Sequence, residues 1–298
     1  MEIRKLERSD FPPMLLEIPD PPKDLWIIGN LPPVDERLIY LCVVGSRRCS
    51  SYGRDVCEML INGLKGYPVV IVSGFAVGID TIAHMSAMEA GLRTIVFPGS
   101  GLSPEVMYPS MNQMLQDEVL KSGGCFLSEF EPDFHATPWT FPMRNRLMAG
   151  MCQATLVIEA TEKSGTLITA RLTLEYNRDL LAVPGSIFSQ NSKGTNKLIH
   201  QGAVPIISAQ DLLMALGFEK DNGKHGDDEN FLNDLRSNLS DLERKIFDLL
   251  ELEPLEKDEL VESLEMDVTE VNIILSAMEI KEIIKEEMGK IQLVSWGK

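Results

Sequence analysis

Glycine-containing turns in this sequence have the composition of anion-binding sites. Gly45, Gly74, Gly99 and Gly185 each close a short apolar run with strand character, and Ser164-Gly165-Thr166 follows another such run. This triplet also opens a helical pattern, and the first turn of a helix offers unpaired N–H groups and the positive end of the helix dipole. Phosphate is therefore the ligand that these turns predict.

Arginine side chains accompany the turns at two places. Ser46-Arg47-Arg48 directly follows the first turn, and Arg144-Asn145-Arg146 lies in a predicted helix. Arginine suits phosphate because its planar guanidinium donates two parallel hydrogen bonds. For Arg47 we favour this role over that of an ordinary surface arginine. Arg144 and Arg146 point to different helix faces, and salt bridges with acids such as Glu129 or Glu159 explain them equally well.

Asp80, His84 and Phe75 have structural as well as functional interpretations. Asp80 and His84 lie four residues apart in a predicted helix, so they share a face and could act as an acid/base pair. We favour the interpretation in which Asp80 caps the helix start and His84 is a hydrogen-bonded core residue. The ring of Phe75 is equally suited to stacking on a base and to packing in the core.

Cysteine and histidine usage indicates no metal or redox site. The five cysteines form no C-x-x-C pair, and the four histidines lack metal-ligand spacing. Each cysteine lies in an apolar context, which favours core residues in a reducing compartment. No apolar run approaches the roughly 20 residues of a membrane span. We therefore expect a cytoplasmic protein with no metal, no cofactor and no membrane role.

Short β-rich runs alternate with helical patterns between Tyr40 and Leu216, which is typical of a parallel sheet covered on both faces. The predicted strands are Tyr40–Gly45, Val69–Gly74, Thr94–Gly99, Cys125–Phe130, Ala154–Ala160, Leu180–Gly185 and Val204–Ile207. The predicted helices begin near Gly53, Ile79, Met111, Met143, Thr166, Thr195 and Ala209. The fold class is therefore α/β, an extended Rossmann-like doubly wound parallel sheet with its glycine turns on one edge.

The sequence predicts four parts of the chain. Residues 1–37 are proline-rich and predict an arm packed on the main domain, with a short strand over residues 25–29. Residues 38–218 form the Rossmann-like domain. Residues 219–232 are polar and glycine-spaced, which is typical of a flexible linker. Residues 233–298 predict a small winged-helix-like domain.

The C-terminal part has the helix, helix and hairpin order of a winged helix. Ser240 to Glu243 resembles a capping box, and helices over residues 257–263 and 267–280 precede a hairpin that turns near Gly289. A winged helix usually inserts its second helix into a DNA groove. Here that helix contains no arginine, so we expect it to contact protein.

The net charge of -17 initially argues against nucleic-acid binding, because phosphate contacts normally leave a basic footprint. The acidity is concentrated in the C-terminal part. Residues 226–298 hold 20 acidic and 8 basic residues, a net charge of -12, which leaves -5 for residues 1–225. The predicted main domain is therefore close to balanced.

Five segments together resemble the DNA processing protein A (DprA/Smf) family, and the resemblance runs from about Pro12 to Val294. Each segment is weak alone, but all five occur in the family's order at similar intervals. They are Val43–Arg47, Val72–Asp80 with Ala83-His84, Tyr108-Pro109 with Asn112, Ser128–Phe130 with Phe141–Arg146, and Glu159-Ala160 with Ser164–Ala170 and Val183–Gly185.

The resemblance implies a dimeric, non-enzymatic protein that binds single-stranded DNA without sequence preference, protects incoming DNA and loads RecA recombinase, notably in natural transformation. Such binding needs an N–H-rich cationic groove and planar groups for the bases, but no catalytic base. The resemblance also implies that Arg47 pairs with a phosphate. The implied DNA-binding residues are Gly45, Ser46, Arg47, Arg48, Gly74, Phe75, Ala76, Gly78, Asn112, Lys121, Arg144, Asn145, Arg146, Ser164, Gly165 and Thr166.

The sequence departs from the family after Tyr108-Pro109, where relatives often carry lysine and this chain has Ser110-Met111-Asn112-Gln113. No cation follows until Lys121. We therefore expect weaker DNA binding than in more basic relatives. For the homodimer, the apolar stretch Lys197-Leu198-Ile199 is a candidate interface.

Three alternative functions remain. The first is a nucleotide-binding or nucleotide-hydrolysing enzyme resembling lysine decarboxylase-like phosphoribohydrolases, but their P-G-G-x-G-T-x-x-E signature is broken at Thr161–Thr166. The second is an interaction scaffold, suggested by the acidity. The third is a dinucleotide-dependent oxidoreductase, which lacks its G-x-G-x-x-G fingerprint here.

Overall fold

The computed structural model describes residues 2–32, 37–109, 112–218, 239–252, 254–264, 266–281, 283–287 and 289–293. The chain divides into two compact units, Met1–Glu219 and Lys220–Lys298. The predicted linker over residues 219–232 lies outside the described residues.

Within the described residues, the first unit is built on a nine-stranded sheet in the order β1-β2-β6-β5-β4-β3-β7-β8-β9. From β3 to β9, each strand is parallel to its neighbours among these seven, whereas β2 is antiparallel to β6 and β1 is antiparallel to β2. The strands are β1 (Arg4–Lys5), β2 (Trp26–Gly29), β3 (Ile39–Val44), β4 (Val69–Gly74), β5 (Arg93–Phe97), β6 (Cys125–Ser128), β7 (Ala154–Val157), β8 (Asp179–Ala182) and β9 (Val204–Pro205).

A helix follows each of the strands β3 to β9. They are α2 (Ser51–Asn62), α3 (Ile79–Glu89), α4 (Gln113–Lys121), α5 (Thr140–Met151), α6 (Thr166–Glu175), α7 (Lys193–His200) and α8 (Ala209–Ala215), and α1 (Pro13–Glu17) precedes them. Side chains of successive strand residues pack on opposite faces of the sheet. Val70 and Val72 belong to one hydrophobic cluster, while Val69 and Ile71 belong to another. The two-residue period of a strand produces this division, because both faces of the sheet are covered.

Strand β3 marks the point where the strand order reverses. It pairs with β4 on one side and β7 on the other, and the later strands continue outward from each. Open α/β sheets bind ligands beyond the carboxyl ends of the strands at such a switch point. The loops that follow β3 and β7 therefore occupy the expected ligand position.

The Rossmann-like fold predicted from the sequence is confirmed, with small differences at the strand ends. β4 has its predicted bounds, but β5, β7 and β8 end two to three residues earlier than predicted. The residues after these ends leave the sheet and form loops at its carboxyl edge.

The N-terminal arm extends the sheet. Its strand β2 lies within the predicted residues 25–29, and α1 adds a short helix. Phe11, Leu15, Leu25 and Ile27 of the arm are buried in the same cluster as β3 and β5 side chains. Residues 33–36 lie outside the described residues.

The second unit has winged-helix order. Its helices are α9 (Asp241–Leu252), α10 (Lys257–Leu264) and α11 (Val268–Ile280), with strands β10 (Leu255–Glu256), β11 (Ile284–Glu287) and β12 (Lys290–Leu293). The predicted capping box is confirmed: Ser240 N donates to Glu243 Oε2 at 2.9 Å, and Glu243 N donates to Ser240 Oγ at 3.3 Å. On α11, exposed Thr269, Asn272 and Ile273 present no positive charge.

No helix among the described residues is long and apolar enough to cross a membrane. No cluster of three or more histidine, cysteine or acidic side chains in the same residues could hold a metal ion.

Candidate nucleic-acid interface

An open cavity of about 540 Å³ lies at the switch point, among the loops that follow β3, β4 and β7 and the start of α5. Ten of the sixteen predicted site residues line it: Gly45, Ser46, Arg47, Arg48, Ala76, Arg144, Asn145, Ser164, Gly165 and Thr166. Its described lining includes three arginines and a single acid, Asp80. The fold thus brings together three of the five predicted cations, Arg47, Arg48 and Arg144, from distant parts of the chain.

Arg47 and Arg48 are the exposed cations of this cavity. The guanidinium carbon of Arg47 lies 5.4 Å from the centroid of the Phe141 ring, within cation–π range. Among the residues that the structure describes, neither arginine side chain is held by a carboxylate or a carbonyl oxygen. Their N–H groups therefore remain available for an anionic ligand.

A buried carboxylate holds the loop that carries these arginines. Glu159, which follows β7 and is 1% exposed, accepts hydrogen bonds from Ser50 N at 2.9 Å and Asn191 Nδ2 at 3.2 Å. Asn191 Nδ2 also donates to the backbone oxygen of Arg48 at 3.0 Å. Glu159 thus acts through the loop and does not itself face the cavity.

Gly78 allows two of the cavity loops to pass closely. Its φ is +86°, and a Cβ there would overlap the backbone oxygens of Ser46 and Arg47. The next residue, Ile79, donates its N–H to Ser46 O at 3.2 Å. Gly78 therefore shapes the loop rather than lining the cavity.

The start of α6 is tied to the loop after β3. Thr166 donates its hydroxyl to Gly45 O at 3.1 Å, and its N–H donates to Ser164 Oγ at 3.2 Å. A Cβ at Gly165 would meet no atom within 4 Å. The helix start consequently opens onto the cavity beside Gly165, as the sequence predicts.

A second cavity of about 130 Å³ adjoins Arg47 and has aromatic walls. Tyr108 and Phe141 line it, with ring centroids 6.4 Å apart. The Tyr108 ring is 58% exposed. Planar rings beside a free cation suit a nucleotide, whose base stacks while its phosphate pairs.

Arg144 is buried beneath both cavities, and its position explains Gly74. The guanidinium contacts Phe97 O and lies near Asp80, and a Cβ at Gly74 would overlap both Arg144 Nη1 and Asp80 Oδ2. Burial lowers the pKa of Arg144 and raises that of Asp80, while the charge of each opposes the effect on the other. Gly74 therefore makes room for this pair and lines neither cavity, although the resemblance implies that it contacts DNA.

Arg146 faces away from the cavity, which corrects its expected contact with DNA. Its guanidinium pairs with Glu129 and donates to Asp20 O at 2.8 Å, and its side chain is 8% exposed. The salt bridge that the sequence left open as an alternative is therefore formed by Arg146 with Glu129. It joins the arm, α5 and the end of β6.

The side chains of Phe75 and Asn112 also make internal contacts. The Phe75 ring is 2% exposed and packs edge-on against Phe126 at 5.4 Å, so it cannot stack on a base. Asn112 Nδ2 donates to Phe75 O at 3.0 Å and to Thr81 Oγ1 at 3.2 Å. Ala76 lines both cavities, but its N–H donates to Asp80 Oδ2 at 3.3 Å.

Two further expectations fail on topology and burial. Lys121 ends α4 just before β6 begins, so it lies at the opposite edge of the sheet from the cavity. Leu198 and Ile199 of α7 pack in the core, so their apolar character does not indicate an interface.

His84 is a core histidine, as the sequence favours. Its Nε2 lies 2.7 Å from Gly74 O and its Nδ1 lies 2.6 Å from Thr94 Oγ1. Burial lowers the pKa of His84 to about 4, so the ring is neutral with its proton on Nε2, facing the carbonyl oxygen. Asp80 lies in the first turn of α3 but accepts from Ala76 N in the preceding loop, and it does not cap the helix start, so the favoured capping role is wrong. No acid/base pair is formed.

Sequence reasoning missed Tyr108, Phe141 and Asn191 as residues of the site. Tyr108 and Phe141 belong to matched segments and flank the predicted cations, a proximity that could have identified them. Asn191 lies after β8 in a polar stretch with no comparable signal.

Comparison with known proteins identifies the family. Residues 2–217 match the family model for DNA recombination-mediator protein A, and residues 233–290 match the DprA winged helix domain. The chain is 42% identical over 208 residues to DNA processing protein DprA of Streptococcus pneumoniae, covering 70% of this chain and 72% of that protein. It is 37% identical over 211 residues to DprA of Bacillus subtilis, covering 71% and 70%.

Solved structures agree with the sequence comparison. The DprA structure from Streptococcus pneumoniae matches with a TM-score of 0.65 and 40% identity, covering 72% of this chain and 74% of that one. A DNA processing protein A structure from Helicobacter pylori, which concerns the single-stranded DNA binding mode of that protein, matches with a TM-score of 0.63 and 30% identity, covering 72% and 95%. These matches indicate a role in DNA processing. The chain therefore belongs to the DNA recombination-mediator protein A family, the DprA/Smf proteins.

Proposed function

We propose that this protein binds single-stranded DNA without sequence preference through the cavity at the carboxyl ends of β3 and β7. The observation that carries the proposal is the exposed guanidinium of Arg47, which lies over the Phe141 ring beside an open cavity whose described charged lining is three arginines and one acid. The guanidinium would bind a phosphate, and the adjacent ring would stack on a base of the same strand.

The chemistry of the lining favours backbone and base-face contacts over reading of base edges. Arg47 and Arg48 supply charge for phosphates, and the helix start at Gly165 supplies backbone N–H groups. Tyr108 and Phe141 supply ring faces, on which any of the four bases can stack. These features support binding that tolerates any sequence.

The number of phosphate contacts is expected to be small. The sequence lacks lysine after Tyr108-Pro109, Lys121 lies at the opposite edge, and Arg144 and Arg146 are buried in internal contacts. Arg47 and Arg48 therefore carry most of the electrostatic attraction. A shallow dependence of affinity on salt follows from this arrangement.

We also propose that the protein protects incoming single-stranded DNA and loads RecA recombinase onto it in the cytoplasm, during natural transformation or related DNA uptake. Membership of the recombination-mediator family supports this role. The winged-helix unit is proposed to contact protein, because exposed α11 side chains such as Thr269, Asn272 and Ile273 offer hydrogen bonds and apolar surface without positive charge.

A homodimer is proposed on a different surface from the one predicted. Ile207, which follows the edge strand β9, is 73% exposed, and Ile187 and Phe188 after β8 are 75% and 89% exposed. Exposed apolar side chains near an unpaired strand edge are typical of an interface. Light scattering should show a dimer that Ile207→Glu converts to monomer, and a wild-type monomer at micromolar concentration would contradict the proposal.

We propose no enzymatic activity. Asp80, the acid in the described cavity lining, lies against Arg144, and Glu159 is enclosed by the loop after β3. Neither is placed as a free general base toward the cavity. The phosphoribohydrolase alternative predicts nucleotide turnover, which a product assay with nucleoside monophosphates would reveal.

The deciding experiment is fluorescence anisotropy of labelled oligo-dT, with a duplex of equal length as control. Wild-type protein should bind the single strand in preference to the duplex, and Arg47→Ala should remove most of that binding. Equal or absent binding by the wild type would refute the proposed function.

A further inference from the structure

Trp139 is a large aromatic side chain that the fold leaves 54% exposed, two residues before Phe141 in the chain. It is the residue before α5, and Phe141 follows in the first turn of that helix. Thr140, between them, donates its hydroxyl to Gly99 O, which anchors the helix start on the loop after β5. Trp139 therefore lies on the same edge of the sheet as the two cavities.

The Trp139 ring is supported by two other aromatic rings. Phe130 and Phe134 stack on each other with centroids 4.9 Å apart and planes at 17°. Trp139 meets both of them edge-on, at 5.8 Å and 5.9 Å, with interplanar angles of 81° and 74°. Edge-on packing of this kind fixes the orientation of a ring while leaving other parts of its surface uncovered.

The loop that carries the two phenylalanines is itself anchored. Gly101 N donates to Phe134 O at 2.8 Å, and Ser103 N donates to Pro132 O at 2.9 Å. A Cβ at Gly101 would overlap the backbone oxygens of Glu131 and Pro132, so the two loops are in close contact. Trp139 is thus presented on a preorganised support, which reduces the entropic cost of using it for binding.

The charges around Trp139 favour one kind of contact. Glu131 and Asp133 are exposed in the supporting loop, and they repel phosphate. A nucleobase has an uncharged π-face, and stacking on tryptophan requires no counter-charge. The surroundings therefore favour contact with a base face over contact with a phosphate.

We propose that Trp139 is a base-stacking site that continues the path of a single strand held at Arg47, beyond the Tyr108 and Phe141 rings. This inference rests on the proposed function, because it places a further base of the same bound strand. The Trp139 contact contributes affinity without neutralising phosphate, so its effect is independent of salt.

The test uses intrinsic tryptophan fluorescence together with oligo-dT affinity. Oligo-dT should quench the fluorescence of the wild type and of Trp26→Phe, and the quench should largely disappear in Trp139→Phe. Trp139→Leu should lower affinity at least about fivefold, as expected for one base–aromatic stack. Trp139→Phe should recover much of that loss, since it restores a ring.

Two controls separate stacking from other effects. The slope of log affinity against log salt should be the same in Trp139→Leu as in the wild type, whereas Arg47→Ala should reduce it. An oligomer of equal charge with abasic sites should bind wild type and Trp139→Leu equally, because it offers no base. Unchanged near-ultraviolet circular dichroism outside the tryptophan bands would show that the variants fold.

The outcomes distinguish this inference from the proposed function. Wild-type protein that binds oligo-dT, with an undiminished quench in Trp139→Phe and unchanged affinity in Trp139→Leu, would refute the stacking site alone. Wild-type protein that does not bind oligo-dT would refute both. Loss of the quench together with salt-independent loss of affinity supports Trp139 as a base contact.

Discussion

The guanidinium of Arg47 and the ring of Phe141 are in contact across the entrance to the cavity, 5.4 Å apart from carbon to centroid. Arg47 comes from the loop after β3 and Phe141 from the first turn of α5, so folding brings together residues nearly a hundred positions apart. A cation held over a ring keeps its charge while its side chain is restricted. The pair therefore presents an oriented positive charge, as the proposed phosphate contact requires.

Arg47→Ala should lower the affinity for oligo-dT at least about tenfold, because a charge-assisted contact to phosphate is lost. The slope of log affinity against log salt should fall by about 0.7, the value for one phosphate contact on a single strand. Anisotropy titrations from 50 to 300 mM salt measure both. Arg93→Ala, which removes an exposed arginine at the start of β5 on the opposite edge, is the matched control. Equal effects of the two substitutions would argue against a local contact.

Glu159→Gln should weaken DNA binding by about three- to tenfold. Oε2 accepts from Ser50 N and Asn191 Nδ2 while Oε1 accepts from Ser50 Oγ, and the amide nitrogen of glutamine cannot accept in place of either oxygen. Removal of a negative charge would by itself strengthen binding, so a loss identifies positioning of the Arg47 loop. Glu162→Gln changes the same charge at an exposed site between β7 and α6, and it should leave affinity unchanged or slightly raised. Higher affinity in Glu159→Gln would show that the loop does not depend on this carboxylate.

Arg146→Met should destabilise the fold by about 3 kcal/mol, because Glu129 is left largely buried without its partner. Urea unfolding monitored by circular dichroism measures the loss. DNA affinity, measured where the variant is still folded, should change less than about twofold. Arg171→Met, which breaks an exposed helix pair with Glu175, should affect stability little. A large loss of DNA affinity in folded Arg146→Met would contradict the purely structural role and indicate that Arg146 contacts DNA.

Lowering the pH should lower the free energy of unfolding, because the buried neutral His84 becomes protonated more readily in the unfolded chain. Its pKa is lowered to about 4 in the folded state and is near 6.5 when unfolded, so the unfolded chain takes up the proton first. The His84 contribution is fully present above about pH 6.5 and is lost as the pH falls toward 4, by up to about 3 kcal/mol. Urea unfolding of wild type and His84→Gln at pH 8 and pH 5 isolates it, because Asp80 and the other acids remain in both. The stability difference between them should shrink at pH 5; a constant difference would contradict a buried neutral histidine.

Much of the main unit could be predicted from local patterns. The alternation of apolar strands and helices gave β4 its full bounds and placed the glycine turns on one edge, because parallel strands share their direction. The extra helix α1 in the arm was not predicted, since proline-rich sequence reads as extended.

The site was harder to predict than the fold. Arg47 and Gly165 follow directly from strand and helix ends, but the fates of Arg144 and Arg146 depend on partners that only the tertiary structure supplies. Phe97 O faces one arginine, and Glu129 faces the other. Asn112 was misread for the same reason, because its amide is satisfied by the distant Phe75 carbonyl.

The loop after β3 is fastened to three others, by Ile79 N to Ser46 O, by Thr166 to Gly45 O and by Asn191 to Arg48 O. A cavity whose loops are joined in this way changes shape little, so under the proposed function the bound strand would adjust to the cavity. The bases of oligo-dA stack strongly on one another, and this stacking must be disrupted before the strand can follow the cavity. The bases of oligo-dT stack only weakly. Under the proposed function, the protein would therefore have a higher affinity for strands whose bases stack weakly, although it contacts no base edges. Its apparent sequence preference would then be a property of the nucleic acid.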